Sequence, residues 1–447
     1  MSHPISGPGH GPSPTLLTLS GGLPVVVLPR GGPDILAARL AIRGGSGADP
    51  AHRRGAHQLL AGTMTRGCGG LDAEALADLV EGAGASLRAE ANEDALVVGL
   101  KCAADDAQSL VPLLVSLVRQ PRLETEQVAI ERQLNLQTLQ RLREDPFQLA
   151  HDQLRGLLYG GGPYGHDPLG VETDLRAIDS RDLRALADGL GAQGAVLVLC
   201  GSPPERLEEL LEQPLAESPW SIPGPPRTPP SPLELPGPGA ARAAGLATLE
   251  QDTEQLVLML GCATVPLGHP DALPLRLLQT HLGMGMSSRL FQVMREERGL
   301  AYDVGVSMPA RCGASPFVIH LASSADRAAE ATASLCEEWQ RLLQSPLDPE
   351  PLDLALAKYV GQDAMGRQTC GQIAERQVLL LSHGLPTDHV ERCLERAASL
   401  RGEDLQAAAQ RWLRTPSLSL VGPAAALGVA CEAWEAAGLS PRGGLPV

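Results

Sequence analysis

Two stretches concentrate side chains able to do chemistry, residues 55–67 and 283–302. The second runs Gly283-Met-Gly285-Met-Ser287-Ser288-Arg289-Leu290-Phe291-Gln292 and continues through Arg295 and Gly299 to Tyr302. Gly283 and Gly285 free the backbone ahead of a helix that starts near Ser287 or Ser288, both good N-cap residues. Gly299 supplies a left-handed stop, so Arg295 falls on the last helical turn and Tyr302 opens the next strand. That break lets a guanidinium and a phenol converge on one spot. Both are donors suited to a carbonyl oxygen and the oxyanion that develops from it. Arg289 reads as a residue that holds the loop. The first stretch contains His57, Gln58, Ala61 and Gly62. A zinc helix needs two neutral imidazoles one turn apart and a glutamate beside them to take a proton from bound water. His57 has no such partner: His52 lies five residues earlier with no carboxylate between them. His57 therefore reads as a histidine at the surface or at the helix start. His281 and His320 lack ligand spacing and read as structural or solvated.

The elements that must position these residues alternate in the same order in two halves. In the first, strands are predicted at 23–28, 36–42, 95–102 and 195–200, and helices at 55–67, 72–81, 107–119, 124–143, 146–158 and 178–190. In the second, strands fall at 255–260, 317–322 and 417–421, and helices at 272–282, 288–298, 325–343, 349–366, 371–382 and 403–413. Ile178-Asp-Ser-Arg-Asp182-Leu183 matches Leu400-Arg-Gly-Glu-Asp404-Leu405, and both lead into a strand ending at Gly201 or Gly422. Element order favours a duplication; two unrelated α+β domains stay open as the alternative. Ten prolines between Pro214 and Pro238 read as an extended, semi-rigid linker. The expected organisation is a disordered tail (1–15), a first domain (16–213), the linker (214–240), a second domain (241–430) and a C-terminal tail (431–447).

The chain has 447 residues, 43% of them hydrophobic and 2% aromatic, so its cores must be built from Leu, Val and Ala. A net charge of −16, with no basic stripe, argues against a nucleic-acid backbone as partner. Nine scattered cysteines without a C-x-x-C fit reduced thiols. No signal-peptide pattern and no membrane-spanning run is read, so a cytoplasmic, membrane-free protein is expected.

Residues 55–67 resemble the insulinase/pitrilysin segment G-x-x-H-x-x-E-H-x-x-x-[KR]-G, the inverted zinc-binding helix of those metallopeptidases. The first His position holds Gln58, the Glu position Ala61 and the second His position Gly62. Glu131-Arg132 and Glu144-Asp145-Pro146 match the flanks of the family's third ligand, a Glu, whose position holds Thr138. Residues 159–170 resemble the family's Y-x-x-x-P-Y turn. Residues 84–89 resemble its G-G-x-x-N-A strand, whose backbone pairs with bound peptide; Arg88 stands where that strand carries Asn. Residues 283–302 are similar to its C-terminal signature, a glycine-rich loop followed by S-S-R-L-F and R-E-x-x-G-L-A-Y. The resemblance implies an α+β fold of two homologous α/β sandwich-type domains, each an antiparallel-rich sheet backed by helices, forming one half of a clamshell. In mitochondrial-processing-peptidase-like pairs the Arg and Tyr of one half reach substrate at the zinc of the other. It therefore implies Arg295 and Tyr302 as substrate and transition-state contacts, and Gly283, Gly285, Ser287 and Ser288 as a loop meeting substrate and partner. No metal is expected in this chain. Zinc is expected in an H-x-x-E-H partner subunit, with unfolded peptide as substrate and no peptidase activity from this chain by itself. Two rivals are a purely structural scaffold, disfavoured by the retained Arg and Tyr, and a stand-alone hydrolase, disfavoured by the lack of a clustered His/Glu set.

Overall fold

A computed structural model describes residues 14–220 and 245–439. The first half of the chain runs β1 (Thr15–Thr18), β2 (Pro24–Pro29), β3 (Ile35–Arg43), α1 (Ala56–Met64), α2 (Ala73–Gly82), β4 (Ser86–Ala91), β5 (Ala95–Ala103), α3 (Ala107–Arg119), α4 (Thr125–Leu142), α5 (Pro146–Tyr159), α6 (Glu172–Ala177), α7 (Ser180–Asp188), β6 (Ala195–Gly201) and α8 (Leu207–Glu217). The second runs β7 (Leu246–Glu250), β8 (Gln255–Ala263), α9 (Ala272–Gly283), a π-helical segment (Phe291–Glu297), β9 (Asp303–Ser307), β10 (Pro316–Ser324), α10 (Ala328–Gln344), α11 (Pro349–Met365), α12 (Cys370–Ser382), α13 (His389–Ala397), α14 (Gly402–Trp412), β11 (Ser417–Gly422) and α15 (Ala424–Ala436). This is the mixed α/β fold expected, two sheets backed by helices. Ala95 and Pro316, which open β5 and β10, are separated by the same spacing as Gly201 and Gly422, which close β6 and β11.

The first compact unit gathers Met1–Gln133, Thr173–Thr228 and Gly366–Pro386. Its sheet has the order β1-β2-β6-β3-β5-β4, with β2 and β6 parallel and every other pair antiparallel. β6 is buried at all its positions, as an unbroken apolar run must be when both faces of a sheet are covered. α3 lies against β5 and α8 and buries Leu110, Val111, Leu114, Leu117 and Val118 at helical spacing. α12 packs Cys370, Ala374 and Val378 onto Val26, Ala37, Ala41, Val196, Val198 and Cys200. Thr369 and Gln372 start α12 with a capping box, and the Arg43 guanidinium donates to the Ser382 carbonyl at its end (3.1 and 2.6 Å).

The second unit gathers Leu134–Glu172, Pro229–Met365 and Thr387–Val447, around a sheet of order β7-β11-β8-β10-β9. α9, α10, α14 and α15 contribute to one core, in which Phe317, Trp339 and Trp434 are the large buried rings. The other face is closed by α5, whose Ala150, Leu154, Leu158 and Tyr159 pack on Val257, Met259, Val318 and Val421. Tyr159 donates its hydroxyl to the Ala314 carbonyl at 2.9 Å.

The compact units are thus not the two halves of the sequence. α5, from the first half, completes the second sheet, and α12, from the second half, completes the first. The physical cause is that each sheet is apolar on both faces while its own segment supplies cover for one. Other expectations are corrected locally. The proline-rich linker does not begin at Pro214, because α8 continues through that residue to Glu217 and Trp220 is buried under the Arg119 guanidinium (5.0 Å). The rest of the linker, 221–240, lies outside the described residues, as do 1–13 and 440–447 of the two tails. The N-terminal tail ends early because β1 pairs with β2 from Thr15. The C-terminal tail likewise gives way to α15, which buries Trp434 (1% exposed) against the second core.

Candidate functional site

α1 begins at Gly55, whose left-handed φ of 99° turns the chain into the helix. Asp49 caps that start: its carboxylate accepts from the Gly55 amide (2.6 Å), the His57 amide (3.0 Å) and His57 Nδ1 (2.7 Å). His57 is completely buried, so its place is the helix start and not the surface. Gln58 Oε1 accepts from the Ala91 amide of β4 at 2.8 Å. Ala61 is fully buried. A side chain at Gly62 would run into the Glu131 carboxylate, which Arg66 holds at 2.8 Å. Thr138 donates its hydroxyl to the Leu134 carbonyl of its own helix (2.9 Å) and accepts from Arg141 (3.2 Å). An engaged carboxamide, a methyl, a missing side chain and a hydroxyl tied into its helix do not fit a zinc ion. On β4, Arg88 and Glu90 are exposed on the face opposite Leu87, Ala89 and Ala91.

In the second unit the Arg295 guanidinium and Tyr302 come together. The Arg295 Cζ stands 5.0 Å from the centre of the Tyr302 ring and 4.9 Å from that of Phe291, and Nη1 donates to the Tyr302 carbonyl at 3.2 Å. The segment before Gly299 is a π-helix and not the α-helix expected at 288–298. Its wider turn puts residues four apart nearly in line, so Arg295 stacks on Phe291. Gly299 has a φ of 59°, and the Leu300 amide returns to the Met294 carbonyl at 2.7 Å to end the helix. Tyr302 is 81% exposed.

The loop ahead of this helix is tied from both sides. Gly283 sits so close to β9 that a Cβ would meet the Val306 amide at 2.8 Å, and Gly285 has a φ of 76°. Lys358 donates to the Met284 carbonyl (2.8 Å) and Gln292 to that of Met286 (2.6 Å). Ser287 is exposed and Ser288 buried, and neither provides the side-chain cap expected: the Ser288 amide bonds the Gly285 carbonyl instead. Arg289 makes a two-point ion pair with Glu338 (2.8 and 2.8 Å). Burial would raise the Glu338 carboxyl, but those hydrogen bonds and the charge of Arg289 hold it below the usual range. His281, beside this pair, lines a cavity of about 200 Å³ with Leu342 and Leu405. Its imidazole is pushed down to about 4, by burial first and then by Arg289 and Lys358. His320 packs edge-on to Phe147 at 5.1 Å.

Sequence reasoning brought Arg295 and Tyr302 together but passed over Gln279, whose Nε2 donates to the Val306 carbonyl of β9 at 3.3 Å. A signal existed. Gln58-x-x-x-Gly62 recurs as Gln279-x-x-x-Gly283, at the spacing that separates β5 from β10.

Residues 25–169 match the model of the insulinase family (peptidase family M16), and residues 190–359 match that of the peptidase M16 inactive domain. An uncharacterised zinc protease of Streptomyces coelicolor is 26% identical over 67% of this chain and 66% of its own length. One from Rickettsia felis is 24% identical over 61% of this chain and 63% of its own. The chain therefore spans just under two thirds of the length of these relatives. A solved peptidase M16 inactive domain from Pseudomonas fluorescens has the same fold, with a TM-score of 0.83 at 23% identity over 92% of this chain and 98% of that one. With the two matches together running over most of the described sequence, the chain belongs to the insulinase family, peptidase family M16.

Proposed function

We propose that this chain is the zinc-less partner in a two-chain zinc metallopeptidase, lending Arg295 and Tyr302 to a peptide held at the zinc of a second, H-x-x-E-H subunit. The observation that carries this reading is the pairing of an exposed phenol with a guanidinium stacked on its ring, in a chain whose metal-ligand positions are spent on other contacts. Held by Phe291 and the Tyr302 carbonyl, Arg295 loses little freedom on meeting a ligand, which is how preorganised donors favour a developing oxyanion. The partner's zinc would supply the activated water. This chain's residues would orient the peptide carbonyl and bear part of its charge.

Co-expression with an H-x-x-E-H homologue is the test. A one-to-one complex by light scattering that cleaves a fluorogenic peptide, and whose cleavage falls on Arg295→Ala with assembly and zinc content intact, is the expected result. Full activity of the Arg295→Ala, Tyr302→Phe complex would leave the chain a scaffold.

A further inference from the structure

Each sheet ends on a strand whose outer edge offers main-chain donors and acceptors, β4 in the first unit and β9 in the second. Such an edge is a template for an added strand. At β4 the Asn92 amide bonds the Ala95 carbonyl (2.9 Å), which fixes the alternation of the ladder. Arg88 and Glu90 then bond inward to β5, opposite Gly99 and Val97, while Leu87, Ala89 and Ala91 turn their amides and carbonyls outward. The outward amide of Ala91 is met by Gln58 Oε1 at 2.8 Å.

The second unit repeats the device. The Val306 carbonyl of β9 is met by Gln279 Nε2 at 3.3 Å. Val306 pairs with Ile319, and Ala89 pairs with Val98, at equivalent places in their sheets by the spacing that relates Gln58 to Gln279. The outward carbonyl at the Ala89 position and the outward amide of Ala91 are neighbours on one edge. The two glutamines thus address the same gap from the same helical position. A carboxamide carries the C=O and N–H of a peptide group, and stands here where one from an added strand would stand.

We propose that Gln58, at the position where a zinc helix carries its first ligand, is an edge clamp: its amide takes the pairing position at Ala91, so an extended polypeptide adding to β4 pairs at Leu87 and Ala89 and stops there. The recognised partner is unfolded polypeptide, gripped through its main chain. The clamp stands on the geometry, and its effect on peptide rests on the peptide-binding reading above.

Residue-resolved amide exchange on the full chain separates the two. Gln58→Leu removes the acceptor and should raise exchange at Ala91 by about tenfold, the worth of one modest hydrogen bond, with Glu90 and Asn92 unchanged. Gln58→Glu keeps an acceptor at the same reach and should retain slow exchange. Equal exchange at Ala91 in wild type and Gln58→Leu overturns the clamp. With reduced, unfolded casein as probe, wild type should gain protection at Leu87 and Ala89, and Gln58→Leu at Ala91 as well. Casein-induced pairing that runs past Ala91 in wild type overturns the stop. Casein that protects no β4 amide overturns peptide pairing on this edge, while the exchange contrast at Ala91 still decides the clamp.

Discussion

Tyr302 holds Arg295 by its ring and its carbonyl while its phenol stands in solvent. Replacing it with Phe keeps the ring and the carbonyl and removes the hydroxyl alone. In the assembled peptidase we expect Tyr302→Phe to lower kcat by about 10²–10³, the usual effect of losing one oxyanion donor, with little change in KM. Arg295→Lys should also lose rate, because an ammonium keeps charge but not the planar group that stacks on Phe291 and Tyr302. The metal positions make a second prediction. Elemental analysis of the purified chain should find no stoichiometric zinc, since Gln58 is bonded to Ala91 and Gly62 faces Glu131; one tightly held zinc per chain would sink it. Spacing made the Arg–Tyr approach legible, because a glycine stop between them has few outcomes. It did not reveal the π-helix. Nor did it reveal the Asp49 cap that buries His57, which depends on a carboxylate eight residues earlier across a turn.

At the scale of elements, strands and helices with strong apolar periodicity were legible to within a few residues, β5, α3 and α12 among them. β1 and β7 were not, being short outer strands with no fully buried side chain and so little alternation to read. The exchange of α5 and α12 between units was also hidden, since periodicity shows that a helix has an apolar face but not which sheet receives it. Leu154 tests the exchange. It is fully enclosed against the second sheet, and Leu154→Ala should cost about 2–5 kcal/mol. Exchange protection should fall at β8 and β11 and hold at β3 and β6. An equal loss in both sheets, or a loss confined to the first, would contradict this assignment.

For the whole molecule, acid should be destabilising in a defined window. His151 is pushed down to about 4 by burial and by Arg155, with Arg311 and His320 adding and Asp167 opposing; His281 is also at about 4. In the unfolded chain both regain the ordinary 6.5 and bind protons that the folded chain refuses. Their stabilising contribution is therefore complete above pH 6.5 and is lost as pH falls toward 4. Urea midpoints of the second unit should drop across that window, and His151→Gln with His281→Gln should flatten the drop. An unchanged slope in the double variant would assign it to other groups. The crossing of α5 and α12 also sets a timetable. On the ribosome α5 emerges long before β8 and β11 exist to receive it, and the face formed by Val26, Ala37 and Val198 waits for α12. Neither sheet can be finished as a domain that folds while it is being made. The nascent chain must carry bare apolar surface on the first sheet until α12 has been synthesised, so its need for a chaperone should be greatest just before residue 382 leaves the exit tunnel.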